Sequence, residues 1–206
     1  MANCIYTIGH STHSARKLVE LLAAHDISVV ADIRSQPYSR MNPQFNREVL
    51  QADLKFASMS YLFLGRELGA RSDDAGCYID GQVQYDLLAR TELFQEGLAR
   101  IENDIARHRI AMMCAEKDPL TCHRAILVCR HLAARGIPAR HILEDGRIES
   151  HEDAVVRLLA ELDVPEQDLF LSREDLIANA YSQRGLQIAY REKEPIHSEV
   201  TEEVRR

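Results

Sequence analysis

The chain has 206 residues, 46% of them hydrophobic, with 32 acidic residues against 25 Lys and Arg and a formal net charge of −7. That length supports one domain with a substantial core. The acidic balance argues against a broad, nonspecific grip on nucleic acid while leaving room for a local basic pocket. No apolar run reaches membrane-spanning length. The N-terminal residues lack the basic region of a signal peptide. The five cysteines, odd in number and without a secretory signal, predict reduced thiols in a cytoplasmic protein.

In chain order, Asn3 to Ile8 reads as a first strand, and Leu18, Leu21 and Leu22 put a helix over Ser14 to Ala24. The β-branched run Ile27 to Ile33 predicts a second strand. Asn42-Pro43 opens a helix that continues through Phe45, Val49 and Leu54. Met59 to Leu64 predicts a third strand. The glycine- and aspartate-rich stretch Gly65 to Gln84 predicts a long irregular excursion of the kind often tied to function. Helix follows from Gln84 to His108, broken near Thr91 or Gly97, then a fourth strand from Arg109 to Cys114. A helix from Leu120 to Ala134 is stopped by Gly136. A short fifth strand covers Arg140 to Leu143, Glu144 to Arg147 form a turn, and helical pattern runs from Glu152 to about Tyr190. The expected fold is therefore α/β: a single domain over residues 1–190, with a mostly parallel sheet of about five strands, helices on both faces and a helical C-terminal extension. Residues 191–206 read as a charged, frayed tail.

In such sheets ligands bind beyond the carboxyl ends of strands. That rule groups Gly9-His10-Ser11, Asp32-Ile33-Arg34-Ser35 and the segment Cys114 to Arg124, with Gly65 to Gly69 as a further member. Cys122, His123 and Arg124 are expected in the first turn of the helix after the fourth strand, where free N–H groups and adjacent cations favour an anion or an activated thiol. Cys122 is the nucleophile candidate; as a small cysteine it also suits simple core packing. His10 suits proton transfer, and Asp32 and Glu116 are the carboxylates placed to orient a histidine or take a proton. Arg34, Arg40 and Arg124 suit bidentate capture of phosphate or carboxylate, with Asp32–Arg34 pairing as the alternative for Arg34. The spacings of Cys114, Cys122, His123, Cys129 and His131 are not those of paired zinc ligands, so neither metal nor cofactor is expected. A Cys114–Cys122 disulfide is conceivable across the intervening turn. Tyr61, Phe63, Tyr78 and Tyr85 could stack on bases, though such residues more often pack.

Four segments occur in the order of one family: Ile8-Gly9-His10-Ser11, Asp32 to Arg40, Leu64 to Gly69, and Cys114 to Pro119 followed by Cys122-His123-Arg124. On these the chain resembles the domain-of-unknown-function 488 family from Ile5 to Tyr190. The resemblance implies a compact α/β domain and no established reaction. It also implies that His10, Ser11, Asp32, Arg34, Arg40, Glu116, Cys122, His123 and Arg124 converge on one site. The reading drawn from residues and resemblance together is a cysteine-dependent hydrolase or group transferase acting on a phosphate-bearing small molecule or nucleotide. Cys122, His10, Asp32 and Glu116 would act in catalysis; Ser11, Arg34, Arg40, His123 and Arg124 would bind the ligand. A nucleotide- or nucleic-acid-sensing module without catalysis and a Cys114/Cys122 redox sensor are the alternatives. The partner is a small anionic ligand rather than a membrane, and the C-terminal helices suit a homodimer interface.

Overall fold

The computed structural model describes residues 4–165 and 167–192. Its elements are β1 (Ile5–Gly9), α1 (Ala15–Ala23), β2 (Val29–Asp32), α2 (Arg47–Phe56), β3 (Ser60–Phe63), β4 (Tyr78–Ile79), β5 (Gln82–Val83), α3 (Tyr85–Leu88), α4 (Glu92–Asp104), β6 (Ile110–Cys114), α5 (Arg130–Ala134), β7 (Ala139–Ile142), β8 (Ile148–Ser150), α6 (His151–Glu161) and α7 (Arg173–Ile188). Six strands form one sheet in the order β3-β2-β6-β1-β7-β8. The first five are mutually parallel and β8 runs antiparallel to β7.

Alternation along the strands feeds two cores. Tyr6, Ile8, Val30, Ala111 and Met113 face Leu18, Leu21 and Leu22 of α1 and Leu50 and Leu54 of α2. Ile5, Val29, Ala31, Met112 and Cys114 face α4, α5, α6 and α7 through Phe94, Leu98, Leu132, Leu158 and Tyr181. Hydroxyl caps set the helix starts: Ser14, Thr91 and Ser150 accept from Lys17, Phe94 and Asp153 N–H, and Ser172 forms a capping box with Asp175. The chain leaves β1 toward one face of the sheet and leaves the adjacent β6 toward the other. The crevice where ligands bind in such sheets therefore lies between the carboxyl ends of these two strands.

The α/β architecture with its mostly parallel sheet matches expectation, and several elements are finer than the pattern suggested. A sixth strand, β8, lies between the Glu144–Arg147 turn and α6; three residues offer too little alternation to mark it. The Gly65–Gln84 excursion contains the hairpin β4–β5, closed by Asp80-Gly81 with φ of 49° and 70°, the combination a tight hairpin turn favours. The helix after β3's excursion does break at Thr91, which caps α4. The Asn42-Pro43 opening makes a single 3-10 turn, Pro43–Phe45, before α2. The C-terminal helical stretch is two helices with residues 162–172 between them. Of the expected tail, Arg191 and Glu192 are described, Arg191 bridging to Gln82; residues 193–206 lie outside the described set. No helix among the described residues is long and apolar enough to cross a membrane.

Candidate functional site

The segment after β6 makes a 3-10 turn at Pro119–Thr121, begun by Asp118 accepting from Leu120 N–H. Cys122 is then extended, with φ −135° and ψ 141°. Helical backbone resumes at His123 and runs as wide π turns over Arg124–Cys129, continuing into α5. Cys122 thus stands just before the helix rather than in its first turn: its carbonyl accepts from Ala125 and Ile126 N–H, and its sulfur accepts from Arg124 N–H at 3.4 Å.

Around that sulfur four groups converge. Glu116 Oε2 lies 3.0 Å from Cys122 Sγ and 3.0 Å from Cys114 Sγ. His123 Nδ1 lies 3.6 Å from Cys114 Sγ and 3.8 Å from Cys122 Sγ. His123 Nε2 donates to Ile33 O at 3.2 Å, which leaves Nδ1 to face the sulfurs. Cys114, Cys122 and His123 are 3%, 1% and 6% exposed; Glu116 is exposed as a residue while its carboxylate reaches inward to the sulfurs. Burial pushes the Cys122 thiol up, but the Cys114 hydrogen bond and the charges of Arg124 and His123 outweigh it and hold Cys122 well below the ordinary thiol range. Hydrogen bonding to Cys122, then burial, push Cys114 well up. Burial works to lower His123, but the negative charge of Cys122 raises it on balance. Burial, then Cys122, raise Glu116. A thiol shifted down, a thiol shifted up, and an imidazole and a carboxyl both shifted up thus share a small space.

Arg124 braces this arrangement. Its Nη1 and Nη2 donate to Glu116 O at 2.6 Å and Lys117 O at 2.8 Å, fixing the loop that carries Glu116. The same loop lies across the end of β1, where His10 and Ser11 N–H donate to Cys114 and Ala115 O at 2.9 Å each. A Cβ on Gly9 would stand 1.8 Å from Glu116 O, so this crossing requires glycine.

A second cluster flanks the first. Arg34 Nε and Nη2 donate to Asp32 Oδ1 and Oδ2 at 2.9 and 2.6 Å, Nη2 also to Phe45 O at 2.8 Å, and Nη1 to His10 Nε2 at 3.2 Å. Tyr61 OH donates to Asp32 Oδ2 at 2.8 Å. His10 Nδ1 donates to Ser11 O at 2.9 Å, so Nε2 carries the lone pair that Arg34 engages. Burial, with Arg34 adding to it, lowers His10 to about 4. Asp32 therefore reaches His10 through Arg34 rather than directly. Burial opposes the Arg34 charge, yet its bonds to Asp32 raise it on balance; burial, then Asp32, push Tyr61 up. Ile33, between Asp32 and Arg34, joins the two clusters through its bond from His123.

His10, Asp32, Arg34, Glu116, Cys122, His123 and Arg124 are thus brought into two touching clusters. Ser11 joins by its backbone, at φ 47°. Arg40 is exposed and makes no hydrogen bond or ion pair with another described residue. Cys114, expected only as a redox partner of Cys122, and Tyr61, expected only as a stacking or packing aromatic, also belong to the site. Of the other aromatics, Phe63 lies under Arg47, Tyr78 OH donates to Ser72 O, and Tyr85 is buried beside the thiols. A cleft of about 470 Å³ of mixed charge opens beside the second cluster, lined by Ser35, Gln36, Arg66, Arg71, Asp73 and Asp74 among others.

Fold and site together define an α/β domain with a Cys/His/Glu centre at the switch point of a parallel sheet. The chain belongs to the family described as "Domain of unknown function DUF488", whose model matches residues 14–130. The matched span contains the Asp32–Arg40, Leu64–Gly69 and Cys114–Arg124 segments, and Ile8–Ser11 lies just ahead of it. The chain matches no curated protein and no solved structure.

Proposed function

We propose that this domain is a thiol-dependent hydrolase or group transferase acting on a phosphate-bearing small molecule or nucleotide, with Cys122 as the attacking group. The observation carrying this reading is the surround of Cys122 Sγ: the Cys114 sulfur, His123 Nδ1, Glu116 Oε2 and Arg124 N–H. Such a surround favours a thiolate over a packed thiol. In this reading the Cys122 thiolate attacks the electrophilic atom and displaces the leaving group, Glu116 relays a proton from solvent to that group as it departs, and water or an acceptor then cleaves the thio-intermediate and restores the thiolate.

The reading without catalysis needs Arg34 and Arg124 to hold the ligand, yet their hydrogen bonds run to Asp32, Phe45, His10, Glu116 and Lys117. A screen of phosphate esters and nucleotides tests the choice. Cys122→Ser should abolish turnover and retain substrate binding. Unchanged function in Cys122→Ser would leave a binding module.

A further inference from the structure

We infer that Cys114, Cys122, His123 and Glu116 form a binding site for a thiophilic divalent cation of the zinc class, which, resting on the thiol reading above, would reversibly mask the Cys122 nucleophile. The sulfurs and His123 Nδ1 lie within 4.8 Å of one another. With Zn–S of about 2.3 Å and Zn–N of about 2.0–2.1 Å, tetrahedral coordination places sulfur and nitrogen about 3.6 Å apart. The structure has 3.6 and 3.8 Å on those two edges. Glu116 Oε2 stands 3.0 Å from each sulfur and would withdraw from them by about half an ångström to serve as a fourth ligand.

The surroundings suit a metal as well. His123 turns Nδ1 to the site because Nε2 donates to Ile33 O, the outer hydrogen bond that orients metal-binding histidines. Arg124 N–H points at the Cys122 sulfur, and the Arg124 guanidinium fixes the backbone of Glu116. Two thiolates and an imidazole select zinc-class ions over magnesium or calcium. With Glu116 as the fourth ligand the tetrahedron would be closed and leave no position for substrate, the pattern of a non-catalytic site. Metal capture and attack by Cys122 therefore exclude one another. Sequence spacing concealed the set because Cys114 and Cys122 come from the two ends of a folded-back loop rather than from one short motif.

The test is cobalt titration of the full chain stripped by chelator. One equivalent of Co2+ should give thiolate-to-metal charge-transfer and tetrahedral d–d bands, displaced by Zn2+. Cys114→Ser and Cys122→Ser should lose the charge-transfer bands, Glu116→Gln should weaken binding, and Cys4→Ser should change nothing. At free Zn2+ of 100 times Kd, iodoacetamide labelling of Cys122 should slow about 100-fold by mass action. Absence of cobalt–thiolate bands, or bands that survive both cysteine variants, overturns the inference. If those variants do not fold, zinc protection of Cys114 and Cys122 against labelling in the wild-type chain decides the matter, and no protection overturns it. Cobalt binding with an unreactive metal-free Cys122 would keep the metal site and remove the thiol reading; a reactive Cys122 with no cobalt binding would do the reverse.

Discussion

Arg34 and Asp32 form a buried pair whose guanidinium is shared among a carboxylate, a carbonyl and an imidazole. Removing one member strands the other's charge in the interior. Arg34→Ala should destabilise the fold by about 3–5 kcal/mol, read as a lowered urea midpoint. Arg34→Lys should recover little, because an ammonium cannot span both carboxylate oxygens and His10. Glu116 offers a subtler test. Its carboxylate touches the Cys122 sulfur, and each disfavours ionisation of the other. In Glu116→Gln the pH midpoint of Cys122 labelling should move down; a midpoint moved up would mean that the carboxylate stabilises the thiolate.

The loop between β6 and α5 depends on β1 for its place. Gly9→Ala would drive a methyl group into the Glu116 carbonyl. Overpacking of this kind costs about 1–3 kcal/mol, and it should also pull Glu116 away from the thiols. The expected result is a lowered denaturation midpoint together with loss of any preference for Cys122 over Cys114 in labelling. A variant with wild-type stability and preference would contradict the role given to this crossing.

The elements that build this crossing were readable from sequence. Short apolar runs such as Ile110–Cys114 read as strands buried on both faces, and Gly9, Pro119 and Gly136 punctuate them. β8 was not readable, because three half-exposed residues carry no periodicity. The π turns at Arg124–Cys129 were not readable either, since apolar residues line α and π helices alike. Within the site, strand ends located Cys122, Glu116 and His10. They left Arg34 open between a ligand and Asp32, which it pairs with, and did not reveal that Arg124 bonds inward, because that depends on carbonyls of Glu116 and Lys117 brought near by the folded loop.

Across the molecule, buried neutral histidines tie stability to pH. Thr7, His141, His151 and Tyr181 form a hydrogen-bonded chain from β1 through β7 to α7, with distances of 2.7, 3.1 and 2.9 Å. Burial lowers His151 to about 4, and burial, then His151, lower His141 well below its usual range. His10 is likewise lowered to about 4. In the unfolded chain these imidazoles protonate near the ordinary value of about 6.5. Below that pH the unfolded state binds more protons than the folded one, so stability falls with falling pH between about 6.5 and 4. Melting temperature should therefore drop from pH 7 to pH 5, and Tyr181→Phe, which leaves His151 short of a partner, should cost a further ~1–3 kcal/mol at pH 7. A melting temperature that rises between pH 7 and pH 5 would contradict the neutral state assigned to these histidines.

The most direct test of the thiol centre is the rate of iodoacetamide labelling at Cys122, mapped by mass spectrometry against pH in the chelator-treated native protein. Selective labelling of Cys122 with a midpoint well below the free-thiol value of about 8.5 is the predicted result. A Cys122 that labels only on unfolding, or with an ordinary midpoint, would contradict it and make the cysteine a packing residue.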